Sequence, residues 1–183
     1  MSDQLVLQSA GTATHTLDDS GNATHTGTVT AASLTVTGTV TAPTSFLRTE
    51  TVSITNAEML ALRATPKTLV AAPGAGYTIE FISAQLYFDY TGAYTETADN
   101  MAIRFTDGSG TIVSQAIEAT DFVDATADTM TNALPKIDAI SAKSACDNKA
   151  LVLHNTGDGE YGGGNAANVV RVRITYRVHP AGW

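Results

Sequence analysis

The run Val169-Val-Arg-Val-Arg-Ile-Thr-Tyr-Arg-Val178 alternates strictly: Val170, Val172, Ile174, Tyr176 and Val178 fall on one side, Arg171, Arg173, Thr175 and Arg177 on the other. Successive side chains of an extended strand point to opposite faces, so the pattern predicts a strand with one face in a core and three arginines on the other. Upstream, further β-branched and aromatic runs predict strands at Lys67 to Ala71, Tyr77 to Tyr90, Met101 to Thr106, Thr111 to Ile117 and Ala150 to His154. Asp107-Gly-Ser-Gly110 reads as a hairpin turn between two of them. One short helix is expected over Asn56-Ala-Glu-Met-Leu-Ala-Leu-Arg63, which has an N-cap candidate and good helix formers and is ended by Pro66. Short strands separated by Gly-, Asn- and Asp-rich turns, without repeated strand–helix alternation, predict an all-β antiparallel sandwich or jelly roll over residues 48–183.

Residues 1–47 differ in composition. They contain no Lys or Arg, and their acids are Asp3, Asp18 and Asp19. Ala13-Thr-His-Thr16 recurs as Ala23-Thr-His-Thr26, and Gly27-Thr-Val-Thr-Ala31 as Gly38-Thr-Val-Thr-Ala42. Thr and Val at period 2 predict an extended, Thr-rich β arm or stalk, with a phase slip near Ala32-Ser33 and a tight loop at Asp18 to Asn22. Its chief apolar side chains are Val29, Leu34, Val36 and Val40. They bury only a few hundred Å² at roughly 25 cal/mol per Å², against about 1–2 kcal/mol of backbone entropy per residue ordered. The segment therefore has to borrow surface, and copies wrapped around a shared axis would supply it; a disordered linker is the plainer alternative. Leu5, Val6 and Leu7 are candidates for insertion into a partner.

Composition narrows the function. The 183 residues carry a formal net charge of −8, which provides no basic field for nucleic acid and is repelled by an anionic membrane. No stretch approaches the ~18 apolar residues of a membrane-spanning helix. Met1 to Ala10 lacks the basic start and apolar run of a secretory signal, so synthesis in the cytosol is expected. Cys146, the one cysteine, forms no intrachain disulfide.

Little in the sequence reads as catalytic, and no cofactor is implied. Gly157-Asp-Gly-Glu-Tyr-Gly162 has the spacing of a dinucleotide fingerprint, but no helix follows and Asp158 and Glu160 would repel a pyrophosphate, so a mobile hairpin loop is expected. Cys146 and His154, with Asp147 or Asp158, supply the residue types of a nucleophile and its base, the basis of a small-hydrolase alternative. Asp121, Asp124 and Asp128 carry carboxylates of the kind calcium takes, at a spacing that suits turns and caps better. His15 and His25 sit in the same repeat and, around a three-fold axis, would form imidazole rings able to hold a metal. Arg171, Arg173 and Arg177 are suited to carboxylates on a neighbour, solvated strand-face charges being the default.

The stretch Ser53-Ile-Thr-Asn-Ala-Glu-Met-Leu-Ala-Leu-Arg-Ala-Thr-Pro-Lys-Thr-Leu-Val-Ala-Ala-Pro-Gly-Ala-Gly76 resembles the opening of a β domain found among virion proteins of tailed bacteriophages. Arg104-Phe-Thr-Asp-Gly-Ser-Gly110, Ala150-Leu-Val-Leu-His-Asn-Thr-Gly157 and Val170-Arg-Val-Arg-Ile-Thr-Tyr-Arg177 are similar to that domain too, and the Gly-Thr-Val-Thr-Ala repeats resemble thin trimeric phage stems. The resemblance implies a non-enzymatic virion protein: a head decoration (cement) protein, or a head-fibre or tail-tip component. The expectation is a homotrimer that binds a major capsid protein or another virion protein. The rival is an adhesion module reading a host glycan or protein with Tyr90, Tyr94 and Tyr161 on the loops at 89–100 and 157–168.

Overall fold

The structure is a computed structural model that describes residues 15–17, 23–25, 46–96 and 100–182. The chain runs β1 (His15–Leu17), β2 (Ala23–His25), β3 (Arg48–Thr55), α1 (Asn56–Met59), β4 (Lys67–Val70), β5 (Tyr77–Asp89), β6 (Tyr94–Thr95), β7 (Met101–Phe105), β8 (Thr129–Ala133), α2 (Lys143–Cys146), β9 (Leu151–Asn155), β10 (Gly162–Gly163) and β11 (Val169–Pro180). The fold is all-β and antiparallel. One sheet has the order β3-β11-β5-β8 and a second the order β4-β9-β7, with a two-stranded ribbon of β6 and β10. Backbone contacts divide the chain into Met1–Thr41 and Ala42–Trp183. In the first unit, β1 and β2 form a two-stranded antiparallel sheet.

β11 takes the course its alternation predicts. Val170, Val172, Ile174, Tyr176 and Val178 are buried, and the residues between them are exposed or half-buried. Its long partner β5 buries Ile79 and Phe81 at odd positions, then Ala84, Leu86 and Phe88 at even ones. A bulge reconciles the two phases: Thr175 faces Ser83 and Tyr176 faces Phe81, leaving Ile82 over. One extra residue moves every later side chain to the other face, so the bulge keeps both halves of β5 in the core. From the second sheet, Met101, Ile103, Leu151 and Leu153 complete that core.

The helix is shorter than its predicted span. Thr55 is the N-cap: its Oγ1 accepts from Glu58 N, and the Glu58 carboxylate accepts from Thr55 N at 2.8 Å, a capping box. After Met59 the chain continues in tight turns that sink Met59 and Leu62 into the core. The bonds tighten there to i to i+3 spacing, Ala61 N donating to Glu58 O and Leu62 N to Met59 O, which ends the α-helical turn.

The stretch expected as a strand at Thr111 to Ile117 is instead a connector shared by two neighbours. Val113 N donates to Ile103 O (2.9 Å) and Ile117 N to Met101 O (2.8 Å) on β7, while Gln115 N donates to Leu134 O (2.8 Å) beyond β8. Its backbone groups are divided between the sheets, so it completes a regular ladder with neither. β8 itself, at Thr129 to Ala133, is not among the predicted strands.

Candidate interaction surface

The outward faces of β3, β11, β5 and β8 form one surface, and strand register sets its rows. Ser53, Arg171, Tyr87 and Met130 make one row; Thr51, Arg173, Gln85 and Asn132 make the next. All are exposed except Tyr87, which is half-buried.

Register also decides which arginine meets an acid. Arg171 lies 2.8 Å from Asp89 Oδ2 and above the Tyr87 ring, 5.9 Å from its centroid. Arg177 stands directly opposite Glu80 at 3.8 Å, and His179 Nε2 reaches the same carboxylate at 2.7 Å. Arg173 stands opposite Gln85, and among the described residues no carboxylate pairs with it. It lines a shallow depression of about 270 Å³ with Ser83, Gln85, Asn132, Leu134 and Thr175. Met130 and Leu134, 55% and 54% exposed, give the β8 side an apolar margin.

The other chemistry-bearing residues serve the fold. Tyr87 OH donates to Asp128 Oδ2 (2.8 Å) and Tyr90 N to Asp128 Oδ1 (3.0 Å); these bonds, the Tyr90 amide foremost, hold the Asp128 carboxyl below its ordinary pKa. Asp124 accepts from Asp121 N at 2.6 Å, and Asp121 has a positive φ of 65°. Asp121 and Asp124 thus act in a local turn and Asp128 anchors the end of β5, and no group fit for a metal occurs among the described residues.

Cys146 and His154 are not brought together. Cys146 Sγ points back to the Ala142 and Lys143 carbonyls, beside Thr78, Phe105 and Arg177. His154, 6% exposed, lies in a separate polar cleft with Arg63, Arg104, Asp158 and Glu160. Its Nδ1 is 3.2 Å from Arg104 Nη1, so that nitrogen is an acceptor and the ring is neutral. Burial, then the Arg104 charge, push its pKa below the ordinary value. The Arg104 guanidinium is itself tied to the Gly108 and Gly110 carbonyls.

The glycine-rich loop, expected as a mobile hairpin loop, carries hydrogen bonds that tie it to the rest of the sandwich. The Glu160 carboxylate accepts from Arg63 N (2.9 Å) and Ala64 N (2.7 Å), capping the turns after α1. Asn155 holds the Gly157 amide and the Gly159 carbonyl, and Asn168 Oδ1 collects Thr91 N, Thr91 Oγ1 and Gly92 N. A correction concerns the tyrosines. Tyr94 and Tyr161 are 2% and 3% exposed, and Tyr90 packs edge-on against Phe88, so they build the core and offer no stacking platform.

The backbone places His15 opposite His25 in the β1/β2 pair. Leu5, Val6, Leu7, Val29, Leu34, Val36, Val40 and the expected slip at Ala32-Ser33 lie outside the described residues. The surface residues that the sequence reading missed, Gln85, Met130, Asn132 and Leu134, depend on β8. Its signal was weak, because Met130 points outward while Thr129 and Thr131 are half-buried.

No protein-family model matches the chain, and no curated protein matches it. Among solved structures, a chain of the cyanophage Pam1 capsid asymmetric unit is similar over 81% of this chain and 99% of its own, at 14% identity and a TM-score of 0.35. A chain from the structure of a marine algae virus of the order Picornavirales is similar over 97% of this chain and 92% of its own, at 11% identity and a TM-score of 0.27. Both are viral structures, and at these scores the likeness is loose.

Proposed function

We propose that this protein is a non-enzymatic structural component of a phage virion, made in the bacterial host cytoplasm, that decorates the head as a homotrimer and cements joints between major capsid proteins. One observation carries the reading. The polar cleft around His154 and the loop carboxylate of Glu160 are spent on the protein's own backbone and side chains, while the outward rows of the four-stranded sheet, with Arg171 and Arg173, are exposed. A surface of that kind suits attachment to another protein, and the bacteriophage resemblance of residues 53–177 points the same way. In this reading Val29, Leu34, Val36 and Val40 meet their counterparts around a shared axis, Leu5, Val6 and Leu7 enter a neighbour, and Arg171, Arg173 and Arg177 face partners. Cement adds buried area to the assembled shell alone and stabilises it by mass action.

A tail adhesion module is disfavoured by the burial of Tyr94 and Tyr161. Light scattering on the full chain should return about three times the 19.0 kDa chain mass. Gold-labelled antibody should decorate heads of intact particles. A monomer that labels no particle refutes the proposal, and label confined to tails reverts it to the fibre reading.

A further inference from the structure

The proposed virion role leaves open how the sheet face recognises its partner. Resting on that role, we infer that the depression around Arg173 receives the carboxylate of an Asp or Glu side chain presented by a different protein of the particle. Arg171 and Arg177 have acids of their own on β5, whereas among the described residues Arg173 has none. An exposed guanidinium in this setting presents a planar fork of donors matched to a carboxylate. Its surroundings add donors and no competing charge. The Asn132 carboxamide accepts from Gln85 through its oxygen (3.5 Å), leaving its NH₂ to donate, and the hydroxyls of Ser83 and Thr175 line the same depression.

Met130 and Leu134 add apolar contact at the β8 margin, so Arg, Met and Tyr, the residues enriched in protein interfaces, occur together here. A second copy packed on the same face by two-fold symmetry would set Arg173 against some other position of that face, and the sedimentation coefficient of the isolated chain distinguishes that occupant.

The test is co-sedimentation of the full chain with DNA-filled heads of its phage prepared without it. Wild type should bind in a salt-sensitive manner. Arg173→Glu should weaken binding tenfold or more, and Arg173→Lys should fall between them because an ammonium lacks the bidentate fork. Asn132→Asp places a carboxylate in the same depression, across Gln85 from Arg173, and should weaken binding of an acidic partner. Both positions are outward and exposed, so thermal melts should match wild type, and Arg63→Glu, away from this face, should bind normally. Wild-type affinity in both Arg173→Glu and Asn132→Asp overturns the inference and leaves the virion role standing. Failure of wild type to bind heads removes both. A change in the sedimentation coefficient of isolated Arg173→Glu makes the occupant a second copy and likewise overturns the inference.

Discussion

Gly108 shows how closely the polar cleft is built: a Cβ placed on it would fall 2.7 Å from His154 Nε2. Gly108→Ala should therefore displace the ring and lower stability by about 1–3 kcal/mol, the usual cost of overpacking, as read from denaturant unfolding. The same histidine makes stability depend on pH. Its folded-state pKa lies below the ordinary value near 6.5, so the unfolded chain binds the proton more readily. The penalty is absent above that value and accumulates as pH falls through and below it. Melting temperature should decline from pH 7 to pH 5, and His154→Gln should flatten that decline; an unchanged slope would remove His154 as the cause. Glu160→Ala leaves the solvent-accessible Arg63 and Ala64 amides to water and should cost about 0.5–1.5 kcal/mol.

Within the elements, the two faces of β11 respond in opposite ways. Ile174 is fully buried, so Ile174→Ala should cost about 2–5 kcal/mol, whereas Arg173→Ala on the outward face should stay within about 0.5 kcal/mol. Equilibrium unfolding of the two variants measures the contrast. β11 was legible because its polarity and its two faces coincide. The short β8 was not: with Met130 outward, alternation assigns its faces wrongly. The β5 bulge left a local trace, since the apolar positions pass from Ile79 and Phe81 to Ala84, Leu86 and Phe88 across Ile82-Ser83, but the sequence reading took Tyr77 to Tyr90 as one regular strand. At the edge of the sheet among the described residues, Glu50 lies opposite Ile174 on β3 and accepts from Tyr176 OH, whose pKa burial and that bond push up to about 12. A charge on an edge strand is a known guard against edge-to-edge association.

For the whole molecule, the proposed division of labour is testable by truncation. Removing residues 1–47 should leave the sandwich folded, with its β circular dichroism intact, and abolish the oligomer seen by light scattering. An unchanged mass would return self-association to the sandwich. The all-β class, the core face of β11 and the poverty of apolar surface in the leading segment were all present in the sequence, because periodicity and composition are local quantities. Which arginine lacks an acid, whether a loop tyrosine is wet or buried, and whether Cys146 meets His154 were absent from it. Each depends on register or on packing between residues far apart in the chain. The single residue left over at Ile82 sets Arg177 opposite Glu80 while Arg173 keeps Gln85; the phase change is local to β5, but which residues of β11 it meets is set by pairing between distant strands.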